Sequence, residues 1–105
     1  MSRAKTANEL SDEFLAGCRA LAFYWAGPLG EEISIEDRLM GLLHSVLTMI
    51  DGYSSGFPCA LDLVCRPHPD DKKFDQEDGL DWVKDGTVIN SGGLLHDRLY
   101  NRADQ

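Results

Sequence analysis

A chain of 105 residues with 10 basic side chains against 18 acidic ones carries a formal charge of −8. That balance works against nucleic acid and anionic membranes as partners, since both are recognised through Lys and Arg. The length suits one domain, residues 1–105, able to bury roughly two-thirds of its unfolded surface, and 43% apolar residues argue against disorder throughout.

Cys18, Cys59 and Cys65 make no paired framework. They read as reduced thiols, small core hydrophobes in a cytoplasmic protein. Met1 to Asn8 is expected to be a loose tail, and no apolar run of signal-peptide or membrane-span character appears.

Ser11 is the expected N-cap of a first helix, with Asp12 and Glu13 favoured in its first turn by the helix dipole. Leu10, Phe14, Cys18, Leu21 and Trp25 repeat at helical spacing as a core stripe, and Gly27-Pro28 ends it. Phe23 falls opposite that stripe, so another segment or a second subunit must cover it. After a short Gly30-Glu31-Glu32 connection, Ser34 with Asp37 opens a second helix. Leu39, Leu42, Leu43, Val46, Leu47 and Ile50 form its apolar stripe, and Asp51-Gly52 closes it. Gly41 and Ser45 lie on its polar side, where small residues are tolerated or let another backbone approach. The two helices are expected to pack antiparallel.

Residues 53–58 read as a loop and Cys59 to Cys65 as a strand, Leu61 and Leu63 inward and Asp62 outward. A polar excursion from Pro67 to Asp78 follows, with a helical turn around Phe74. Trp82-Val83, an Asp85-Gly86 turn and Thr87-Val88-Ile89 suggest a hairpin, and Leu94 to Leu99 a short closing helix. The expected class is α+β, with two N-terminal antiparallel helices packed on a small antiparallel sheet and a short C-terminal helix.

Two motifs bear on chemistry. Gly52-Tyr53-Ser54-Ser55-Gly56 spells G-x-S-x-G, but a nucleophile elbow needs a strand before it and a helix after, the reverse of the order here. His68-Pro69-Asp70-Asp71 follows the predicted strand and resembles the zinc-binding signature of the LmbE-like (PIG-L) N-acetylglucosaminyl deacetylase family. The resemblance implies His68 and Asp71 as zinc ligands and Asp70 as the base that activates a metal-bound water. It covers four residues, and Lys72 stands where that family carries a further acidic residue. His44 or His96 would have to supply a third ligand. Otherwise Pro67 and Pro69 stiffen a loop while Asp70 or Asp71 caps the turn that follows.

The acidic stretch Asp70 to Asp81 lacks EF-hand spacing and suits a solvated loop or a docking edge for a basic partner. The expected function is therefore a non-catalytic module that binds protein or itself, without a cofactor. Its expected contact residues are Phe23, Tyr24, Asp75, Glu77, Asp78 and Trp82, and its expected partner is a protein, basic or a second copy in a homodimer. The alternative is a small zinc-dependent hydrolase centred on His68, Asp70 and Asp71.

Overall fold

The computed structural model describes residues 2–28, 33–91 and 94–100; the expected Gly30-Glu31-Glu32 connection lies outside them. Among the described residues four helices follow in order: α1 Ala7–Ala26, α2 Ile35–Ile50, α3 Asp71–Glu77 and α4 Leu95–Arg98. Helix α2 packs on both α1 and α4.

Helix α1 starts a turn earlier than Ser11 predicts. Its N-cap is Thr6, whose Oγ1 accepts from the Glu9 amide at 3.1 Å while the Glu9 carboxylate accepts from the Thr6 amide at 2.9 Å. This reciprocal box satisfies two amides that the helix start leaves without partners. Arg3 grips the same Glu9 with two 2.7 Å bonds. That guanidinium, aided by the Thr6 amide, holds the Glu9 carboxyl down at about 2. Lys5 reaches Glu13 at 2.8 Å, so residues 3–6 are tied to the helix rather than a loose tail. Helix α2 begins at Ser34, whose hydroxyl accepts from the Asp37 amide at 3.1 Å. It ends where Gly52 takes φ +86°; the Gly52 and Tyr53 amides donate to Met49 and Thr48 carbonyls, a double bond pattern that closes a helix through a left-handed residue.

The two long helices meet on an unexpected side. Trp25 lies flat against Gly41, so close that a Cβ there would fall among its ring carbons. The indole Nε1–H donates to Ser45 Oγ at 3.0 Å, and Arg38 donates to the Trp25 and Gly27 carbonyls at 2.8 and 2.7 Å. Ser34, Arg38, Gly41 and Ser45 recur at i, i+4, i+7 and i+11, so the small-polar stripe of α2 carries the contact. The leucine stripe lies roughly 120° around the helix.

The expected antiparallel sheet is not formed. Among the described residues a single antiparallel bridge, Val64 with Val88, is all the β-structure. Residues 87–89 lie beside 63–65 rather than folding onto Trp82-Val83: the Cys65 amide donates to Thr87 O, Ile89 to Leu63 O and Gly86 to Cys65 O, at 2.8–2.9 Å. Beyond that the ladder stops, because the Asn90 side chain takes the next positions. It accepts from the Leu63 amide at 3.0 Å and donates to Leu61 O at 2.8 Å. A side-chain amide standing where a strand backbone would be ends the pairing.

The buried apolar core among the described residues is Met49, Ile50 and Phe57. Phe14 meets Phe57 edge to face at 5.6 Å, and Met49 Sδ fills the space above Gly17. Cys18 and Cys65 are half-buried, but Cys59 is exposed, so it is no core hydrophobe; all three are free thiols. No helix among the described residues is long and apolar enough to cross a membrane.

Gly41→Ala is expected to destabilise the protein by about 1–2 kcal/mol. Displacing the indole costs more than the roughly 1 kcal/mol that alanine gains in a helix. Ser45→Ala should cost about 1 kcal/mol through the lost indole bond. Urea unfolding at fixed protein concentration reads both, and a stabilised Gly41→Ala variant would disprove the close approach.

Candidate functional site

The His68-Pro69-Asp70-Asp71 run is a helix entrance. The His68 amide donates to Asp71 Oδ2 at 3.1 Å, the Asp71 amide donates to His68 O at 3.0 Å, and His68 Nδ1 accepts from the Asp70 amide at 3.1 Å. Asp71, the first residue of α3, thus reaches back to the turn before the helix, while the N-cap Asp70 makes no side-chain cap bond. His68, Asp70 and Asp71 are all exposed, and His68 Nδ1 lies 3.8 Å from Asp70 Oδ2. Among the described residues no three His, Cys, Asp or Glu side chains gather as a metal-binding set.

The other two histidines meet each other. The His44 and His96 rings are 5.7 Å apart, with Tyr100 5.6 Å from His44 and Tyr53 5.4 Å from His96. Beneath them lies Asp51, whose side chain has no exposed surface. Asp51 Oδ2 accepts from the His96 amide at 2.9 Å and lies 2.7 Å from His96 Nδ1, while Oδ1 accepts from Asn90 Nδ2 at 3.3 Å. Burial pushes the Asp51 carboxyl up, but the His96 amide, the His96 ring and Asn90 outweigh it and hold the group below its ordinary value. An ionised carboxylate only accepts, so His96 Nδ1 carries the proton between them.

A buried aspartate orienting an imidazole through Nδ1 is the frame of a general-base pair. Catalysis would also need the opposite nitrogen open toward a reacting group. Here Nε2 faces Asp97 Oδ1 at 3.3 Å, and the ring is flanked by His44 and Tyr53. The cluster acts as a strut joining the end of α2 to residue 90 and α4. Sequence reading treated Asp51 only as a helix stop; a charged acceptor at the helix end that repels it was the available signal.

The expected contact residues lie in two separate regions of the chain. Phe23 is 80% exposed, and Tyr24, also exposed, touches Trp25 edge to face at 5.3 Å. Trp82 carries Lys72 Nζ 4.1 Å from its ring centroid, which favours a cation over an aromatic face. Glu77 and Asp78 are exposed, and Asp75 is half-buried at the end of α3.

Sequence reading missed an exposed apolar row on α2, because the leucine stripe read as core. Ile35 is 77% exposed, and Leu39 and Leu43 are more than half exposed. Beside them an open trough of about 210 Å³ is lined by Ala22, Trp25, Ala26, Ile35, Leu39 and Leu42, with Arg38 as its one charged residue. A second of about 420 Å³ runs past Leu10, Phe14, Leu15, Phe57 and Leu61. Leu15, Ala22 and Ala26 share one stripe of α1, at i, i+7 and i+11, with the exposed Arg19 between them at i+4, so the two troughs lie along one side of the helix, separated by a charge.

Because the folded pKa of Asp51 is depressed, its stabilisation is complete above the ordinary carboxylate value near 4 and fades as pH falls through the lower folded value. Asp51→Asn is expected to cost about 2–3 kcal/mol at neutral pH and to flatten this part of the acid-unfolding profile. An unchanged profile in the variant would show that Asp51 does not act as a buried anion.

No protein-family model, curated protein sequence or solved structure matches this chain.

Proposed function

We propose that this chain is a non-catalytic association module, a domain whose stable form has protein covering the apolar face of α1 and α2. One observation carries the reading: the exposed row Ile35, Leu39 and Leu43 beside the Ala22–Ala26 trough, on a chain whose described core holds three buried apolar residues. Contiguous apolar patches of this kind mark interaction sites in monomeric soluble proteins. The shape supports it. The radius of gyration is 17.8 Å with extents of 52 × 49 × 20 Å, whereas a self-contained domain of this length has a radius near 13 Å. A slab about 20 Å thick has room for little more than one packed pair of elements between its faces.

Phe23 belongs to this reading as an exposed aromatic on the far flank of α1. The Lys72–Trp82 stack and the Asp75, Glu77 and Asp78 side chains give a second, polar contact region, suited to a basic partner.

Small-angle scattering beside a hydrophobic-dye titration tests the proposal. The expected result is an associated particle, or an open monomer that binds dye strongly. A compact monomer with a radius near ~13 Å and no dye binding would mean that the chain covers its own apolar face, and would end it.

A further inference from the structure

We infer that the occupant of the apolar α1–α2 face is a second copy of this chain, seated about a two-fold axis so that two helical hairpins form a four-helix layer. The inference rests on the association reading and names its partner.

Area is the first argument. A folded monomer of 11.7 kDa exposes about 5,900 Å², whereas this chain exposes 8,298 Å². The surplus is about 2,400 Å² per chain. Obligate homodimers bury roughly 2,000–5,000 Å² in total, up to about 2,500 Å² from each subunit. The surplus is a whole-chain figure to which the exposed Ile35, Leu39 and Leu43 contribute, and it is large enough to supply one such interface.

Shape is the second. A two-fold interface places one patch against itself, so the patch must contain both what protrudes and what receives. This face has both: Ile35, Leu39 and Leu43 stand out from α2, and the small side chains of Ala22 and Ala26 leave the adjoining trough. Antiparallel hairpins that share apolar faces close into four-helix bundles without leaving a further open face.

Charge is the third. Two copies bring together formal charges of −8 each, so they can meet only over a neutral surface. The residues lining the trough are uncharged except Arg38, whose guanidinium donates to the Trp25 and Gly27 carbonyls. The acidic stretch from Asp70 to Asp81 belongs to the C-terminal half of the chain. Repulsion between the copies is then long-range and screened by salt.

Light scattering of the purified full chain tests this, with Leu39→Glu and Trp82→Ser as variants. The expected result is a dimer mass for the parent and Trp82→Ser, and half that mass for Leu39→Glu, with helical circular dichroism retained. Raising the salt concentration should tighten the parent dimer. Leu39 is exposed, so glutamate there leaves the Trp25–Gly41 contact intact; if the variant lost its helices, Leu43→Lys, at a second exposed position of the same face, would decide, and a helical Leu43→Lys protein that stayed dimeric would overturn the face. A dimer that survives Leu39→Glu but dissociates in Trp82→Ser overturns the proposed face and leaves the association reading standing. A dye-binding monomer overturns the second copy alone, and a compact monomer without dye binding overturns both.

Discussion

Asp51 stands at the carboxyl end of α2, where the helix dipole and the last carbonyls repel an anion, and its side chain is fully removed from water. Both circumstances are unfavourable, and the residue is held by what it accepts: the His96 amide, the His96 ring and the Asn90 carboxamide. Asn90 in turn holds Leu61 and Leu63. One carboxylate therefore fixes the turn after α2, the extended segment at 61–65 and the start of α4. An apolar residue of similar size would strand several buried donors, which costs more than the bonds themselves contribute. Where the described residues form no sheet, side-chain bonds of this kind do the work that a backbone ladder does elsewhere.

The same reasoning explains which parts of the structure were legible in the residues. Local signals with a local cause were readable: Ser34 opens α2, Asp51-Gly52 closes it, and Gly27-Pro28 stops α1. Thr6-Ala7-Asn8-Glu9 is an equally local capping box that competes with Ser11, and it prevails because Glu9 also engages Arg3. The strand from Cys59 to Cys65 failed for a non-local reason. A period of two describes a side-chain pattern, and a sheet also needs backbone partners. Leu61, Leu63 and Cys65 do alternate with exposed neighbours, yet Asn90 replaces the backbone that would have extended the ladder.

The candidate sites divide in the same way. His68, Asp70 and Asp71 hold the right atoms for a metal within four residues, but His68 Nδ1 and Asp71 Oδ2 are turned to neighbouring backbone amides. Short-range hydrogen bonding competes with any more distant assembly, and Asp is well suited to it. His44 and His96 are 52 residues apart in the sequence; their meeting depends on α4 being anchored by Asp51, which no local pattern announces. The helical wheel sets Phe23 opposite Trp25 and predicts a cover from another segment or a second subunit; among the described residues no segment supplies it, since Phe23 is 80% exposed.

Helix α2 brings these threads together, since its surface divides into three flanks. One carries Ser34, Arg38, Gly41 and Ser45 and receives α1. A second carries His44, which meets His96 and Tyr100 of the α4 region. The third carries Ile35, Leu39, Leu42, Leu43 and Val46, the most apolar of the three. Ordinarily the most apolar flank is buried first, because burial of each aliphatic side chain contributes about 1.5–3 kcal/mol. Here Trp25 selects the small-polar flank, since Gly41 lets the indole approach and Ser45 accepts its N–H; a leucine would block both. The sequence thereby directs the α1–α2 contact to one flank and leaves Ile35, Leu39 and Leu43 of the apolar one exposed. A helix so arranged forms its hairpin by shape and hydrogen bonding, and under the proposed association the exposed flank would supply the remaining apolar burial.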